Sequence, residues 1–296
     1  MLPCLNVKFK REECERRLPG QAVSGRLSSR TAYNPRVPST RSRPQLSVNL
    51  NKVALLRNQR DLPIPSVIRA AQVCIRAGAH GITVHPRPDE RHIRRSDVLE
   101  LTRILEVEFN VEGNPFDDFL AMIRRIRPTQ CTLVPDDPGQ ATSDHGWVLR
   151  ESGAPTKAMD RLRPIVRELR ELGIRVSLFM DPDLEQIEAA ATLQPDRIEL
   201  YTEPYARAFR SAREIEVLAT YARAARRAHE LGMGVNAGHD LSLDNLGRFC
   251  EIPGIQEVSI GHALIAEALF MGLGPCVRSY LEVLGWPQGS SITHAR

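Results

Sequence analysis

The chain has no apolar run near the roughly 20 residues that a membrane-spanning helix needs, so an integral membrane protein is excluded. Its opening, MLPCLNVKFKREECERR, has no uninterrupted apolar core ahead of a small-residue cleavage site, and no secretory signal is expected. There is no C-x-x-C pair. The six cysteines (Cys4, Cys14, Cys74, Cys131, Cys250 and Cys276) lie far apart. That pattern fits neither a disulfide framework nor a zinc cluster, and reduced thiols in a cytoplasmic protein are the plain reading. Neither G-x-G-x-x-G nor G-x-x-x-x-G-K-[ST] follows any strand-like run, which disfavours a doubly wound nucleotide-binding sheet. H-E-x-x-H is also absent, and Asp181-Pro182-Asp183 reads as a helix cap, so no metal site is expected. No lysine stands at a strand end as an aldolase would require; Lys52, in the first loop, is the only partial candidate.

What is present is an ordinary globular composition, 42% hydrophobic and 26% charged over 296 residues, with an uneven charge. Residues 1–45 carry ten Lys or Arg against three Glu, a net +7, so the overall +4 leaves the remainder at −3. The basic charge sits in a Ser/Pro/Arg-rich leader, SGRLSSRTAYNPRVPSTRSRP, without helical or strand periodicity. It reads as a disordered extension or an over-called start, against a nucleic-acid or organelle-targeting arm. A nucleic-acid face would usually spread its charge over the folded part, so no nucleic-acid partner is expected.

From residue 46 the texture changes. Eight short runs rich in Val, Ile, Leu or Phe lie at 46–50, 81–85, 109–112, 130–134, 176–179, 197–200, 234–237 and 257–260, as buried parallel strands do. Helical segments punctuate them. One follows Pro65-Ser66 and stops at Gly78; one is capped by Ser96-Asp97; one begins at Asn114-Pro115. Others span 159–172, 184–191, 206–231, 243–250, 263–273 and 276–284. Eight strand–helix units in this length predict a TIM-type (β/α)₈ barrel with extra helices over 46–285, followed by a tail at 286–296. The longest interval between strands holds PDDPGQATSDHGW, either a mobile lid or a tolerated insertion; its place after a strand favours the lid, with Gly139 and Gly146 as hinges.

In this fold the active site lies at the carboxyl ends of the strands. Read in order, those ends carry Asn49, His85, Glu112, the lid with Thr142, Asp181, Glu199, Asn236 with His239, and Gly261-His262, with His92 just beyond His85. Any single histidine reads as well as a hydrogen-bonded structural one. Several at one face do not, because burying imidazoles and carboxylates for stability alone is costly. His85 and His239 are candidate acid/base groups, and a buried Glu112 would gain proton affinity suited to a shuttle. Glu199 faces away from Ile198 and Leu200, toward the barrel interior, where a satisfied structural carboxylate is an equal reading. Arg57, Arg60, Arg87, Arg91, Arg94 and Arg95 crowd the first two loops, apt for phosphate where they are not merely solvated. Gly261 before a helix suits a phosphate at the helix N-terminus. The residues alone describe a barrel enzyme moving protons on phosphorylated carbonyl or enamine substrates, with a non-catalytic phosphometabolite-binding barrel as the alternative.

These strand-end segments resemble the pyridoxine 5′-phosphate synthase family of vitamin B6 synthesis. The matching runs are VNLNKVALLRNQR (48–60), GITVHPRPDERHI (81–93), FNVEGNP (109–115), LVPDDPGQATSDHGW (133–147), GIRVSLFMDPD (173–183), IELYTEPYA (198–206), GVNAGHDLSLDNL (234–246) and SIGHALI (259–265). The resemblance implies condensation of 3-amino-2-oxopropyl phosphate with 1-deoxy-D-xylulose 5-phosphate to pyridoxine 5′-phosphate, phosphate and water, without metal or organic cofactor. It assigns His85 and Glu112 as bases and His239 as proton donor. It aligns Asn49, Arg60 and Gly261-His262 with amino-ketone ligands, and Arg87, His92 and Thr142 with pentulose-phosphate ligands. It also implies a homo-octamer built from dimers. Two positions depart from the best-known members. Asn51-Lys52 replaces an Asp-His pair that contacts the pentulose phosphate, and Asp240, at a substrate-binding position, replaces a glycine. The chain thus resembles a second branch of the family.

Overall fold

The computed structural model describes residues 43–60, 62–137, 139–140 and 142–287; positions 1–42 of the basic leader and 288–296 of the tail lie outside the described residues. The chain runs through β1 (Gln45–Asn49), α1 (Asn51–Arg57), α2 (Val67–Arg76), β2 (Gly81–Val84), α3 (Arg95–Ile104), β3 (Glu108–Gly113), α4 (Asp117–Ile126) and β4 (Gln130–Leu133). A small hairpin follows, β5 (Arg150–Glu151) and β6 (Ala154–Pro155), then α5 (Lys157–Glu171), β7 (Arg175–Met180), α6 (Leu184–Ala191) and β8 (Arg197–Tyr201). The last part holds α7 (Glu203–Ala208), α8 (Glu214–Glu230), β9 (Gly234–Gly238), α9 (Leu246–Phe249), β10 (Ile255–Ile260), α10 (His262–Met271) and α11 (Leu273–Val283). Eight strands close into a parallel barrel in the order β1-β10-β9-β8-β7-β4-β3-β2, with β5 and β6 paired apart. All eight expected strands are there, and so is the expected barrel.

The helices differ from expectation where side chains from elsewhere decide. Residues 51–57, read as loop, form α1 without any side-chain cap. Asp97 does not cap α3 but sits inside its first turn, where its carboxylate accepts from the Arg94 N–H at 2.8 Å. Asn114-Pro115 does not start α4; the helix begins at Asp117, and Asn114 donates instead to the Asp136 carbonyl at 3.1 Å. The single helix expected over 206–231 breaks in two, because Arg210 turns to φ 59° and its N–H goes to the Glu214 carboxylate. The segment 243–250 keeps only the single turn of α9.

Strand alternation sends Leu46, Val48, Ile82, Val84, Val111, Cys131, Leu133, Val176 and Leu178 out to the helices, where all are buried. Barrel interiors are usually filled by branched aliphatic layers. This one is polar. Ser47 meets Thr83 at 2.6 Å, Asn110 reaches Thr83 at 3.4 Å, Thr132 donates to Asn110 at 3.0 Å, and Thr132 also approaches Glu199 at 3.5 Å. Nearer the amino ends of the strands, Arg197 Nη1 donates to Asn236 and Glu257, both at 3.0 Å, while Arg175 pairs with Glu108. Burial first, then Glu108, pushes the Glu257 carboxyl well above its ordinary range. At the same end Trp286 closes against β1: its Nε1 donates to the Pro44 carbonyl at 2.8 Å, and its ring lies 4.3 Å from His80.

Arg57, one of the arginines read near the mouth, is not available to a ligand. Its guanidinium forks onto Asp97 at 2.5 and 2.9 Å and donates to the His92 carbonyl at 3.1 Å, with both side chains buried. Removing one partner of such a pair leaves a buried charge uncompensated. Arg57→Ala is expected to cost about 3 kcal/mol in urea unfolding. A loss under about 0.5 kcal/mol, the scale of ordinary surface substitutions, would show that the pair is not load-sharing.

Candidate active site

The strand ends deliver the expected side chains to one mouth. On β1, Asn49 donates from Nδ2 to Glu112 of β3 at 3.4 Å, while its Oδ1 accepts from the Asn51 N–H at 2.9 Å. Asn51 in turn accepts the backbone N–H of His85 at 2.9 Å, fixing the residue where β2 ends. Gly261, capping α10, lies directly behind Asn49; a side chain there would begin 3.2 Å from the Asn49 Cβ. The interior carboxylates Glu112 and Glu199 are both buried. Burial pushes Glu199 up to about 7, and burial followed by the charge of Glu199 pushes Glu112 well above the carboxylate range. Glu199 is given its space by Gly238 of β9, where an added Cβ would lie only 2.5 Å from Oε1.

The imidazoles are driven the other way. His85 and His92 are buried with ring centroids 6.3 Å apart. Burial, then Arg87, His92 and His239, hold His85 well below its ordinary range, and burial, then Arg87 and Lys52, bring His92 to about 4. His92 Nδ1 accepts the Ile93 N–H at 2.9 Å, so the neutral ring carries its proton on Nε2. His239 is wedged between Phe179 and Tyr201, each centroid 5.3 Å away, and desolvation brings it to about 4. It stands at φ 83° and Asp240 at φ 58°, a left-handed pair that favours glycine. Thr202 Oγ1 holds this turn, its one proton shared between the carbonyls of Gly238 and His239.

Arg87 and the long loop after β4 form the other wall. Arg87 is buried, paired with Asp136, and donates from Nη1 to the Gln140 carbonyl at 2.5 Å; Arg91 reaches the same carbonyl at 3.0 Å. A cavity of about 410 Å³ opens beside these groups, lined among others by His85, Arg87, Asn114, Phe116 and Asp136. The loop's far end is pinned. Trp147 Nε1 donates to the Leu133 carbonyl at 2.8 Å, and Gly146 N–H donates to the Asp181 carboxylate at 3.0 Å. Gly146 is therefore not a free hinge: a Cβ there would lie 2.2 Å from the Asp181 nitrogen, so the glycine permits a close backbone crossing. Gly139 faces open space.

Asn49, Glu112, Glu199, His85, His92, Arg87, His239 and Lys52 are thus brought within contact or electrostatic reach of one another. Thr142, Asp240, His262 and Arg60 are exposed, Arg60 on the turn after α1. Asn51, Asp136, Thr202 and Gly238 were not singled out from sequence as parts of the site. Only the Asn51 position carried a signal, as a departure from the family pattern. Among the described residues, no group of three His, Cys, Asp or Glu could hold a metal ion, and no helix is long and apolar enough to cross a membrane.

Comparison with known proteins bears on this arrangement directly. The family model of the pyridoxal phosphate biosynthesis protein PdxJ matches residues 46–285. A pyridoxine 5′-phosphate synthase of Xanthomonas campestris pv. campestris (strain B100) is 53% identical over 250 residues, covering 81% of this chain and 95% of its own. The synthases of Albidiferax ferrireducens and Porphyromonas gingivalis are 51% and 52% identical, covering 83% and 81% of this chain and 99% and 98% of theirs. Among solved structures, a mutant tryptophan synthase alpha-subunit from Pyrococcus furiosus superposes with a TM-score of 0.53 at 14% identity, covering 81% of this chain and 98% of its own. That likeness extends to the fold alone.

The raised proton affinity of Glu199 has a sign that stability can report. A carboxyl whose folded pKa lies above its unfolded value stabilises fully below the unfolded pKa, here 4.5, and loses that contribution as pH rises through about 7. The fall amounts to about 3 kcal/mol between pH 4.5 and 8. Glu199→Gln, neutral throughout, is expected to remove it in urea unfolding at pH 5 and pH 8. The same pH dependence in variant and wild type would show that Glu199 is ionised without penalty.

Proposed function

The chain belongs to the PdxJ family of pyridoxal phosphate biosynthesis proteins, and we propose that its barrel mouth condenses 3-amino-2-oxopropyl phosphate with 1-deoxy-D-xylulose 5-phosphate. Pyridoxine 5′-phosphate, phosphate and water are the products. The observation that carries this reading is the set of proton carriers in one desolvated space: His85, His239 and Glu112, with Glu199 beneath and Arg87 and Lys52 beside them. Amine addition to a ketone, loss of water to an imine, elimination of phosphate and ring closure each need a proton moved at a defined atom. Groups of matched and shifted proton affinity, held close together, are what that sequence asks for.

Each side chain then takes a part. His85, uncharged because it is buried among cations, accepts a proton from the adding amine. Glu112, its proton affinity raised by burial and then by Glu199, is suited to give a proton to a leaving oxygen and to take one from carbon. Glu199 shares its proton affinity and steadies the charge. His239, neutral at working pH, donates from its N–H to the departing hydroxyl, as a neutral imidazole does when its surroundings disfavour the cation. Arg87, His92, Thr142 and Lys52 hold the pentulose phosphate, with Lys52 standing in for the family's Asp-His contact. Asn49, Arg60, Asp240, Gly261 and His262 hold the amino ketone, whose phosphate meets the amino end of α10. The loop over 135–147 excludes water from the imine and enol intermediates. A homo-octamer of dimers belongs to the same reading, and the exposed Leu269 and Phe270 at the end of α10 suit a subunit contact.

Incubating the purified chain with both phosphates should yield pyridoxine 5′-phosphate. His85→Asn, His239→Asn and Glu112→Gln should each lower turnover by at least about 10²-fold with the fold retained, the scale of a lost acid/base group. Near-wild-type turnover in any one of them removes that residue from the mechanism, and no product from the wild-type chain removes the reading itself.

A further inference from the structure

Asp136 has no part in the roles above, yet it is among the most enclosed acids at the mouth, 3% exposed. It lies three residues past β4, at the root of the long loop. Its Oδ2 receives both Arg87 Nη2 and the Ser143 hydroxyl, the latter at 2.6 Å. Its Oδ1 is buried with no hydrogen-bond partner among the described residues. Asn114 fixes the backbone beside it by donating to its carbonyl, and the Asn114 side-chain oxygen is itself buried without a partner. Both residues line the cavity next to His85 and Arg87.

A guanidinium recognises carboxylate and phosphate with the same forked edge. On Arg87 both terminal nitrogens of that edge are taken, Nη2 by Asp136 and Nη1 by the Gln140 carbonyl. A phosphate dianion on the same edge would stand against the negative charge of Asp136 and compete for the same N–H groups. The grip of Asp136 is also incomplete. A carboxylate with one oxygen unpaired in the interior pays part of its desolvation without return, and burial raises its proton affinity although Arg87 lies beside it. This is an ion pair that a better anion can break.

We propose that Asp136 is a positioning residue and an internal rival of the substrate: Asp136 and the phosphate of the pentulose are alternative partners of Arg87. When phosphate takes the guanidinium, Asp136 gives it up, and the Gln140 contact with Arg87 is released with it, while Ser143 stays on Asp136. The loop segment carrying Thr142 is then free to reseat on the phosphate. The exchange also sets specificity, because an uncharged sugar cannot displace a carboxylate from arginine, whereas a phosphate dianion can. The inference rests on the reading of Arg87 as a phosphate ligand.

The test is a calorimetric titration of inorganic phosphate into the full chain, paired with steady-state kinetics. Asp136→Asn keeps the shape and removes the charge. It should tighten phosphate binding by at least about fivefold, the scale of one competing charge-assisted hydrogen bond. It should lower KM for the pentulose phosphate and leave KM for the amino ketone unchanged. With Arg87→Ala added, the gain should vanish. Ser143→Ala, which only loosens the hold on Asp136, should shift affinity the same way by less, and it carries the test if Asp136→Asn does not fold. A purely structural Asp136 would weaken phosphate binding when changed. Unchanged or weaker binding in the folded Asp136→Asn protein, or no gain in Ser143→Ala where only that variant folds, overturns the inference while leaving Arg87 as a ligand. If Arg87→Ala alone leaves phosphate affinity unchanged, the underlying assignment falls and the inference with it.

Discussion

Desolvation governs this molecule. A barrel whose interior is built from Ser47, Thr83, Asn110, Thr132, Ser177 and Asn236 has no aliphatic plug between its polar centre and its mouth. Most of the donors and acceptors inside pair across neighbouring strands, with Ser177 Oγ an exception among the described residues. The strands are held in register as much by those hydrogen bonds as by the Val, Ile and Leu on their outer faces. Glu112 and Glu199 above this column and Glu257 below it are held away from water, and their proton affinities rise accordingly. Only Glu108, backed by Arg175 and Arg197, keeps its charge easily.

The same removal of water makes the mouth chemically useful. Burial, and then Arg87 and Lys52, lowers the proton affinity of His92, while burial, and then Glu199, raises that of Glu112. The proton affinities of base and acid are thus drawn toward each other, which water alone would not do. The cations that depress the histidines also balance the charge of phosphorylated substrates, so one arrangement serves binding and proton transfer together. The turn at His239 and Asp240 sets two consecutive non-glycine residues in the left-handed region. Thr202 and the Phe179–Tyr201 wall hold that turn against its preference.

Much of this was readable in the sequence, for reasons particular residues make clear. The eight strands announce themselves because parallel barrel strands are short, apolar on alternate positions and end in residues that chemistry needs. His85, Glu112, Glu199 and His239 follow from that rule alone. What escaped depends on partners far away in the chain. α1 has no capping side chain, and its arginine, Arg57, looks like any other loop cation until Asp97, forty positions on, closes around it. Arg87 stands out as a phosphate ligand by resemblance, but its partner Asp136, forty-nine positions on, does not. Gly146 looks like a hinge by composition, and only the approach of the Asp181 backbone shows why a side chain is excluded. Asn51 is marked in the sequence only by the resemblance, which implies an Asp at that position, and its hold on the His85 backbone is visible only when β1 and β2 lie side by side.

The central claim, that the mouth keeps its imidazoles uncharged by excluding water, is open to direct measurement by ¹⁵N NMR of the histidine rings as pH is lowered. The signals of His92 and His239 should remain those of neutral imidazole through pH 5 and titrate only near about 4, and His85 should titrate well below its ordinary range. The His92 ring should show its proton on Nε2 throughout the neutral range. Titration of these rings near 6.5, as for histidines in open water, would contradict the account.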